Sequence, residues 1–409
     1  MTTTENNIFP YNKISTDIIK TLDKKIKKQH GIFFTPPKTI QQNILAIKKY
    51  FKNIKSILEP SCGSCEYIDV IHSLYPNIPI TGLEINPTIF EAIKEKNSEM
   101  IKLWNYDFLK FKEDNKYDLI IGNPPYFVMK KWQVHSDYYH YFDGRPNIFI
   151  LFIIKSLKLL NENGIMSFIL PKGFLNCLYY EKTRNFIKNN YKIIDIINCE
   201  EEFSETQQDT VILIIQNTLP NKTNNKFCFS NKNYTIFGFQ TTIKRLNNLY
   251  KNTKTLNELG FSVNVGTIVW NQCIDILSND NSKTRLIYSS DITENKLDIK
   301  SYKNVNKKNF IDLKGTTLPT LVVNRGYGIM AKYKFNYCLI DVDYEYLIEN
   351  HLICINYTRS TEKNVILKQY EKIINSLEDE RTKEFIQLYF GNNAINATEL
   401  SNILPIYLS

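Results

Sequence analysis

Glycine and proline are scarce in this chain of 409 residues, at 14 each, which excludes a collagen-like or linker-dominated protein. The longest apolar runs, such as Ile148–Ile154, fall far short of the ~20 residues that a bilayer-spanning helix needs. No charged-then-apolar leader opens the chain, so secretion is not expected. Eight cysteines are too few for a disulfide framework at this length, and reduced thiols in a cytoplasmic setting, a prokaryotic cytosol or a viral replication compartment, are the expectation. No charge sign dominates: 51 Lys+Arg stand against 42 Asp+Glu, for a net +9. That mild basicity suits a polyanionic partner without requiring one.

What is present is a globular composition, with 43% hydrophobic and 23% charged residues. At roughly 100–200 residues per domain, two or three domains are expected. The chain carries 26 Tyr and 24 Phe. Most belong to a core, but an aromatic beside a basic side chain is also what base stacking requires.

Thr16–Gln29 and Thr39–Phe51 have the spacing of amphipathic helices, with Pro36-Pro37 placed for a helix start. From Lys55 onward short apolar strands alternate with helices. Strands are expected at 56–58, 79–83, 101–104, 117–121, 164–170, 191–197 and 210–216. Helices are expected at 66–74, 87–96, 147–160 and 182–189. This alternation predicts an α/β fold with a doubly wound, mostly parallel, seven-stranded sheet. An Asn/Lys-rich stretch, Pro220–Asn225, suggests a boundary between a domain over 1–220 and one over 221–409. The second part mixes strand-like runs (318–323, 337–342, 352–356) with a charged helix over 363–379, a mixed α+β pattern.

Ligands of such sheets sit outside the carboxyl ends of the strands. The first strand ends in Glu59-Pro60-Ser61-Cys62-Gly63, the second in Glu84-Ile85, the third in Asp107-Phe108 and the fourth in Asn123-Pro124-Pro125-Tyr126. An acid after the second strand can accept hydrogen bonds from ribose hydroxyls. An acid followed by an aromatic suits an adenine, the carboxylate meeting the amine and the ring covering a face. Cys65 stands where the second glycine of a G-x-G-x-x-G turn would be. That weakens a pyrophosphate site and fits a nucleoside cofactor without phosphates.

Asn123–Tyr126 is the most specific pattern. The Asn123 side-chain carbonyl and the Pro124 backbone carbonyl can both accept from one planar amine. Two prolines stiffen the turn, and Tyr126 offers a ring face for stacking. The set forms a slot for an amine on a flat ring and draws its nitrogen toward tetrahedral geometry.

Other features carry less. Cys62-x-x-Cys65 has no second Cys or His pair at ligand spacing, so no metal is expected. His135 and His140 read as surface residues of a polar, aromatic insert over 130–144. The Lys20–Lys28 run is a solvated helix face, with phosphate contact as the alternative. In the C-terminal part, Arg325 and Tyr327 lie in an Asn-Arg-Gly-Tyr-Gly turn suited to base-edge readout. Lys303 and Lys307, with Lys300 and Lys308, are placed to meet phosphates, and Trp270 marks a further recognition segment.

On these residues, the sequence resembles the gamma class of S-adenosylmethionine-dependent DNA adenine N6-methyltransferases of the type II restriction-modification kind. The likeness spans roughly residues 28–217 closely, with Gly31–Pro37 similar to the family's cofactor-contacting segment. The resemblance implies S-adenosylmethionine as cofactor, held by Thr35, Glu59, Ser61, Gly63, Glu84, Ile85, Asp107, Phe108, Asn123 and Pro125. It implies catalysis by Asn123, Pro124 and Tyr126 on an adenine flipped out of double-stranded DNA. Phe203 would be a second aromatic against that base, and the C-terminal part a target-recognition domain. A monomer with no membrane association is expected, since it suits a reaction on one strand at a time, with room for a cognate restriction nuclease encoded separately. The same tetrapeptide serves enzymes acting on adenine in structured RNA or on protein glutamine, so those substrates stay open.

Overall fold

The computed structural model describes residues 11–21, 23, 27, 31–112, 115–200, 208–232, 234–325, 335–389 and 395–408. Its chain forms two compact units, Met1–Ile243 and Lys244–Ser409.

The first unit is built on seven strands: β1 (Ile57–Glu59), β2 (Ile80–Glu84), β3 (Ile101–Asn105), β4 (Tyr117–Gly122), β5 (Leu160–Pro171), β6 (Lys192–Asn198) and β7 (Thr210–Gln216). Their spatial order is β3-β2-β1-β4-β5-β7-β6. Neighbours from β3 through β5 run parallel. β7 lies antiparallel between β5 and β6. The expected mostly parallel, seven-stranded α/β sheet is therefore present.

The strands are apolar on both faces, as a sheet covered on both sides must be. Because side chains alternate along a strand, each strand feeds two cores. Ile57, Leu119, Ile121, Ile165, Ile169, Ile212 and Ile214 face one, which also holds the helix residues Ile40, Ile44, Ile47, Ile68 and Ile71. Leu58, Ile120, Met166, Phe168, Leu213 and Ile215 face the other, against the helix residues Phe149, Phe152, Ile153 and Leu157.

The helices of this unit are α1 (Lys13–Thr21), α2 (Pro37–Ile47), α3 (Glu66–Leu74), α4 (Pro87–Ile93), α5 (Ile148–Lys158) and α6 (Glu181–Asn190). α1 starts earlier than expected, and most of 22–30 lies outside the described residues. Pro37 opens α2, where its missing N–H costs nothing. Asn86 caps α4, its Oδ1 accepting from the N–H groups of Thr88 and Ile89 at 2.9 and 3.2 Å. α5 is apolar on nearly every side, with nine of its eleven residues buried. Such a helix belongs wholly to a core, and Lys155 is out of keeping with it.

A hairpin over Cys228–Asn231 and Tyr234–Phe237 follows the expected boundary at 220 yet packs on the first unit. Phe227, Cys228 and Phe237 enter its core. The fully buried Arg184 of α6 ties it down, donating to the Thr235 carbonyl at 2.6 Å and to the carbonyls of Phe174 and Cys177, each at 2.8 Å.

The second unit is mixed α+β. One sheet orders strands Phe261–Val265, Leu352–Tyr357, Thr320–Asn324 and Tyr337–Ile340. A second orders the shorter strands Leu277–Ser278, Phe310–Ile311, Thr284–Ile287 and Tyr346–Ile348. Helices Lys363–Glu378, Glu380–Tyr389 and Ala397–Asn402 accompany them. No described helix is long and apolar enough to cross a membrane.

Candidate active site

In the strand order, β1 has β2 on one side and β4 on the other, and the chain turns back across the sheet between β3 and β4. The crevice of a doubly wound sheet opens at such a reversal, and there the β1 turn meets the loop after β4.

β4 ends at Gly122, whose φ of 153° is one that side-chain-bearing residues rarely adopt. Next door, Ser61 Oγ donates to the Asn123 carbonyl at 3.2 Å. The Asn123 carboxamide is held at both ends. Its Nδ2 donates to the Phe33 carbonyl at 3.3 Å, and its Oδ1 accepts from the Tyr126 hydroxyl at 2.6 Å. That hydroxyl also lies 2.8 Å from the Ile169 carbonyl in β5. Burial pushes the Tyr126 phenol well above its ordinary range, which keeps it a donor. The Tyr126 ring is half-buried and makes an edge-to-face contact with Phe149, centroids 6.0 Å apart.

Phe33 belongs to the segment that precedes α2 and approaches the tetrapeptide. At Gly31, φ is 64° and a Cβ would stand 2.8 Å from the Tyr126 backbone nitrogen and 3.2 Å from Pro125 Cβ. Thr35, on the same segment, is buried.

The acids at the neighbouring strand ends are distinct in state. Glu59 is buried, and its Oε2 has no hydrogen-bond partner. Burial, aided by Cys65, Asp69, Glu66 and Glu84, raises its carboxyl well above the usual range. Glu84 accepts from the Gly63 N–H at 3.0 Å and the Asn86 N–H at 2.7 Å, so it bridges the β1 turn and the start of α4. Burial pushes it up to about 7, against the lowering effect of those N–H groups. Cys65 adopts a left-handed conformation, φ 69°, so the turn keeps a glycine-like backbone at the position where the sequence lacks the glycine. Cys62 and Cys65 are buried free thiols.

Asp107 accepts from the Leu109 N–H at 2.9 Å. Phe108, which follows it, is buried at 2% exposure, its ring 4.9 Å from that of Phe152. Ile85, at the β2 end, is 64% exposed.

Lys155 escaped the sequence reading. Its Nζ donates to the carbonyls of Leu109 at 3.0 Å and Phe111 at 2.6 Å and sits 5.1 Å from the Phe108 ring. It thereby clamps the loop that carries Asp107. Burial lowers it to about 8, opposed by the Asp107 charge. A lone lysine within Ile148–Leu157 was the available signal.

Phe203 and Tyr327 lie outside the described residues. In the second unit, Lys303 is exposed. Lys307 is not a free cation: its Nζ stands 3.9 Å from the Tyr302 ring, 4.1 Å from Tyr288 and 5.9 Å from Trp270. Trp270 and Lys307 are thus partners in one aromatic box. Arg325 is exposed, with its N–H donating to the His351 carbonyl at 2.7 Å.

A doubly wound sheet with a carboxylate at each of three strand ends and a clamped Asn-Pro-Pro-Tyr loop at the reversal defines a nucleoside-cofactor methyltransferase domain. Residues 40–204 match the family described as Eco57I restriction-modification methylase. The chain is 26% identical over 402 residues to the type II methyltransferase M.CvrRI of Paramecium bursaria Chlorella virus XZ-6E, covering 96% of this chain and 98% of that protein. It is 33% identical over 220 residues to the modification methylase CviBIII of Paramecium bursaria Chlorella virus NC1A, covering 52% and 56%. It is 29% identical over 218 residues to M.AccI of Acinetobacter calcoaceticus, covering 50% and 40%. The chain thus spans about half the length of the last two relatives. Among solved structures, a putative class I S-adenosylmethionine-dependent methyltransferase from Listeria monocytogenes aligns at 21% identity over 51% of this chain and 70% of that one, with a TM-score of 0.43.

The cofactor is S-adenosylmethionine. It offers an ammonium, two ribose hydroxyls and an adenine amine, all donors. The crevice answers with acceptors: the unpartnered Glu59 Oε2 and the carboxylates of Glu84 and Asp107. The residues fit the group.

Proposed function

We propose that this chain transfers a methyl group to the exocyclic amine of adenine within a specific sequence of double-stranded DNA. The observation that carries this reading is the Asn123 carboxamide, fixed at both ends at the mouth of the nucleoside crevice. A fixed Oδ1 and the Pro124 carbonyl give one amine two acceptors in a defined geometry. An aromatic amine so held loses conjugation with its ring and becomes nucleophilic.

A base inside a duplex cannot reach this slot, so the reading requires the target adenine to be rotated out, at a cost of a few kcal/mol. Tyr126 is the stacking surface. Thr35, Glu59, Ser61, Gly63, Glu84, Ile85, Asp107 and Pro125 border the cofactor. When bound, the cofactor supplies a methyl group on a sulfonium, which is already activated. The chain's own residues therefore orient and exclude water, and proximity provides much of the acceleration. The second unit, with Arg325 and Lys303 on its surface, is the sequence-reading module. A monomer suits modification of one strand at a time, and a cognate nuclease would be a separate chain.

The test is expression in a host free of DNA methylation, followed by long-read sequencing. N6-methyladenine in one sequence word, absent with Asn123→Ala, is the expected result. Unmodified DNA alongside methylated RNA or methylated protein glutamine would overturn it.

A further inference from the structure

The chain leaving Tyr126 enters a stretch that the transfer reaction does not use. Val128 pairs with Asn147 in an isolated antiparallel bridge, and the Met129 N–H donates to the Pro146 carbonyl at 2.8 Å. The tetrapeptide's exit is thereby tied to the start of α5. Short 3-10 turns follow over Lys131–Gln133 and Ser136–Tyr141. Their inner side has its own core, in which Val134, Phe142 and Leu151 pack with Met129 and Tyr138. The insert is a built element on the catalytic unit.

Its outer side is of another character. Trp132, one of three tryptophans in the chain, is 75% exposed. A large, rigid indole presented to water by a packed support is a flat face on which another π-system can stack. Lys130 Nζ lies 5.8 Å from that ring, and Lys131 Nζ lies 4.8 Å from the Tyr139 ring. The two acids of the insert are engaged elsewhere, Asp137 with His135 at 3.4 Å and Asp143 with Lys182 at 2.6 Å. An exposed indole with one ammonium by its ring, and a second ammonium by the Tyr139 ring of the same insert, matches a partner that combines π-faces with phosphates; an acidic protein surface offers only the charges. Trp132 lies six positions after Tyr126, so at most ~20 Å of chain lies between them. With bases ~3.4 Å apart along a strand, that reach is about six base steps.

We infer that Lys130, Lys131 and Trp132 form a platform that grips the duplex beside the target adenine, the indole stacking on a base or sugar and the ammoniums taking neighbouring phosphates. This rests on duplex DNA being the substrate.

The experiment measures binding of the full-length protein to a short mixed-sequence duplex across a salt series, by fluorescence anisotropy, together with S-adenosylmethionine binding by calorimetry and mass by light scattering. Trp132→Ala is expected to weaken duplex binding roughly tenfold to a hundredfold. The Lys130→Ala/Lys131→Ala double variant is expected to lower the slope of log affinity against log salt by about 2. Cofactor affinity should stay unchanged in both, which separates the platform from a folding defect. Wild-type affinity and slope in both variants would overturn the platform. So would an altered oligomeric state with unchanged duplex affinity, which would make Trp132 a protein-contact residue. Wild-type protein that neither binds nor methylates duplex DNA would instead remove the substrate reading beneath it.

Discussion

The Tyr126 hydroxyl stands 2.6 Å from Asn123 Oδ1, and this contact fixes which end of the carboxamide faces the slot. The Phe33 carbonyl can only accept, so Nδ2 must turn toward it. The tyrosine O–H then completes the clamp from the opposite side. A carboxamide free to flip would present a donor to an amine half the time, and the amine would be repelled.

Tyr126→Phe therefore keeps the ring for stacking but loses the clamp. With a neutral hydrogen bond worth ~0.5–1.5 kcal/mol, kcat is expected to fall roughly threefold to tenfold while cofactor affinity holds. Asn123→Ala removes the acceptor itself and is expected to lower kcat by a thousandfold or more, again with cofactor bound. Steady-state methyl transfer with calorimetric cofactor titration checks both. Wild-type kcat in Tyr126→Phe would remove the orienting role.

Gly31 is far from Asn123 in sequence but meets the same loop. Its φ of 64° and the 2.8 Å approach of a Cβ to the Tyr126 nitrogen leave no space for alanine. Gly31→Ala would force Phe33 and its carbonyl away from Asn123. The left-handed conformation alone costs a side-chain-bearing residue ~1–2 kcal/mol, and crowding adds ~1–3 kcal/mol. A lower thermal midpoint and a kcat reduced roughly a hundredfold are expected, since ~1 Å of misplacement costs about that much. A fully active Gly31→Ala protein would detach the segment from the slot.

Lys307 tests the boundary between reading and holding. Its ammonium is surrounded by Tyr302, Tyr288 and Trp270, and the buried Asp291 anchors the same loop by accepting from the Lys300 N–H and the Tyr302 hydroxyl. Lys307→Ala should lower the thermal midpoint of the second unit by a few degrees, from loss of cation–π contacts worth ~0.5–1 kcal/mol each. It should leave the salt slope of DNA binding unchanged. Lys303→Ala, at an exposed position, should reduce that slope by about 1 without a stability loss. Salt titrations paired with thermal scans separate the two; a reduced slope in Lys307→Ala would return that lysine to the DNA surface.

The sheet was legible in the sequence because its strands are apolar on both faces and its helices carry local start signals, Pro37 and the Asn86 cap among them. The tetrapeptide was legible because its chemistry is contiguous. What escaped the sequence reading depends on contacts between distant residues. The Lys155 clamp joins positions 44 and 46 residues apart. Phe108 packs against Phe152 on α5. The 228–237 hairpin sides with the first unit because Arg184, 51 residues before Thr235, donates to it. Lys307 looks like any surface lysine until three rings from separate segments close around it. No local pattern encodes such pairings.

The Lys155 clamp makes cofactor binding sensitive to pH. Burial lowers this lysine to about 8, and its charged form holds the Leu109 and Phe111 carbonyls most strongly. As pH rises through about 8 the ammonium loses its proton, the loop carrying Asp107 loosens, and S-adenosylmethionine affinity is expected to fall severalfold between roughly pH 7 and 9. Folding stability moves the other way through this group. Its native pKa lies below the unfolded one, so the unfolded chain binds more protons across that window, and the contribution to stability rises with pH. A falling affinity with an undiminished unfolding midpoint therefore marks the loop and not the fold. Lys155→Arg, which stays charged, should flatten this limb of the profile if its longer side chain still reaches the carbonyls. Lys155→Met should bind weakly at every pH. On the acid side Glu84, raised to about 7 by burial, offers acceptors at both oxygens, and stronger ones, only when ionised, so affinity should climb as pH rises toward 7. Calorimetry across the range would then trace a maximum between about 7 and 8, and an affinity flat from pH 6 to 9 in the wild type would remove both residues from the cofactor's support.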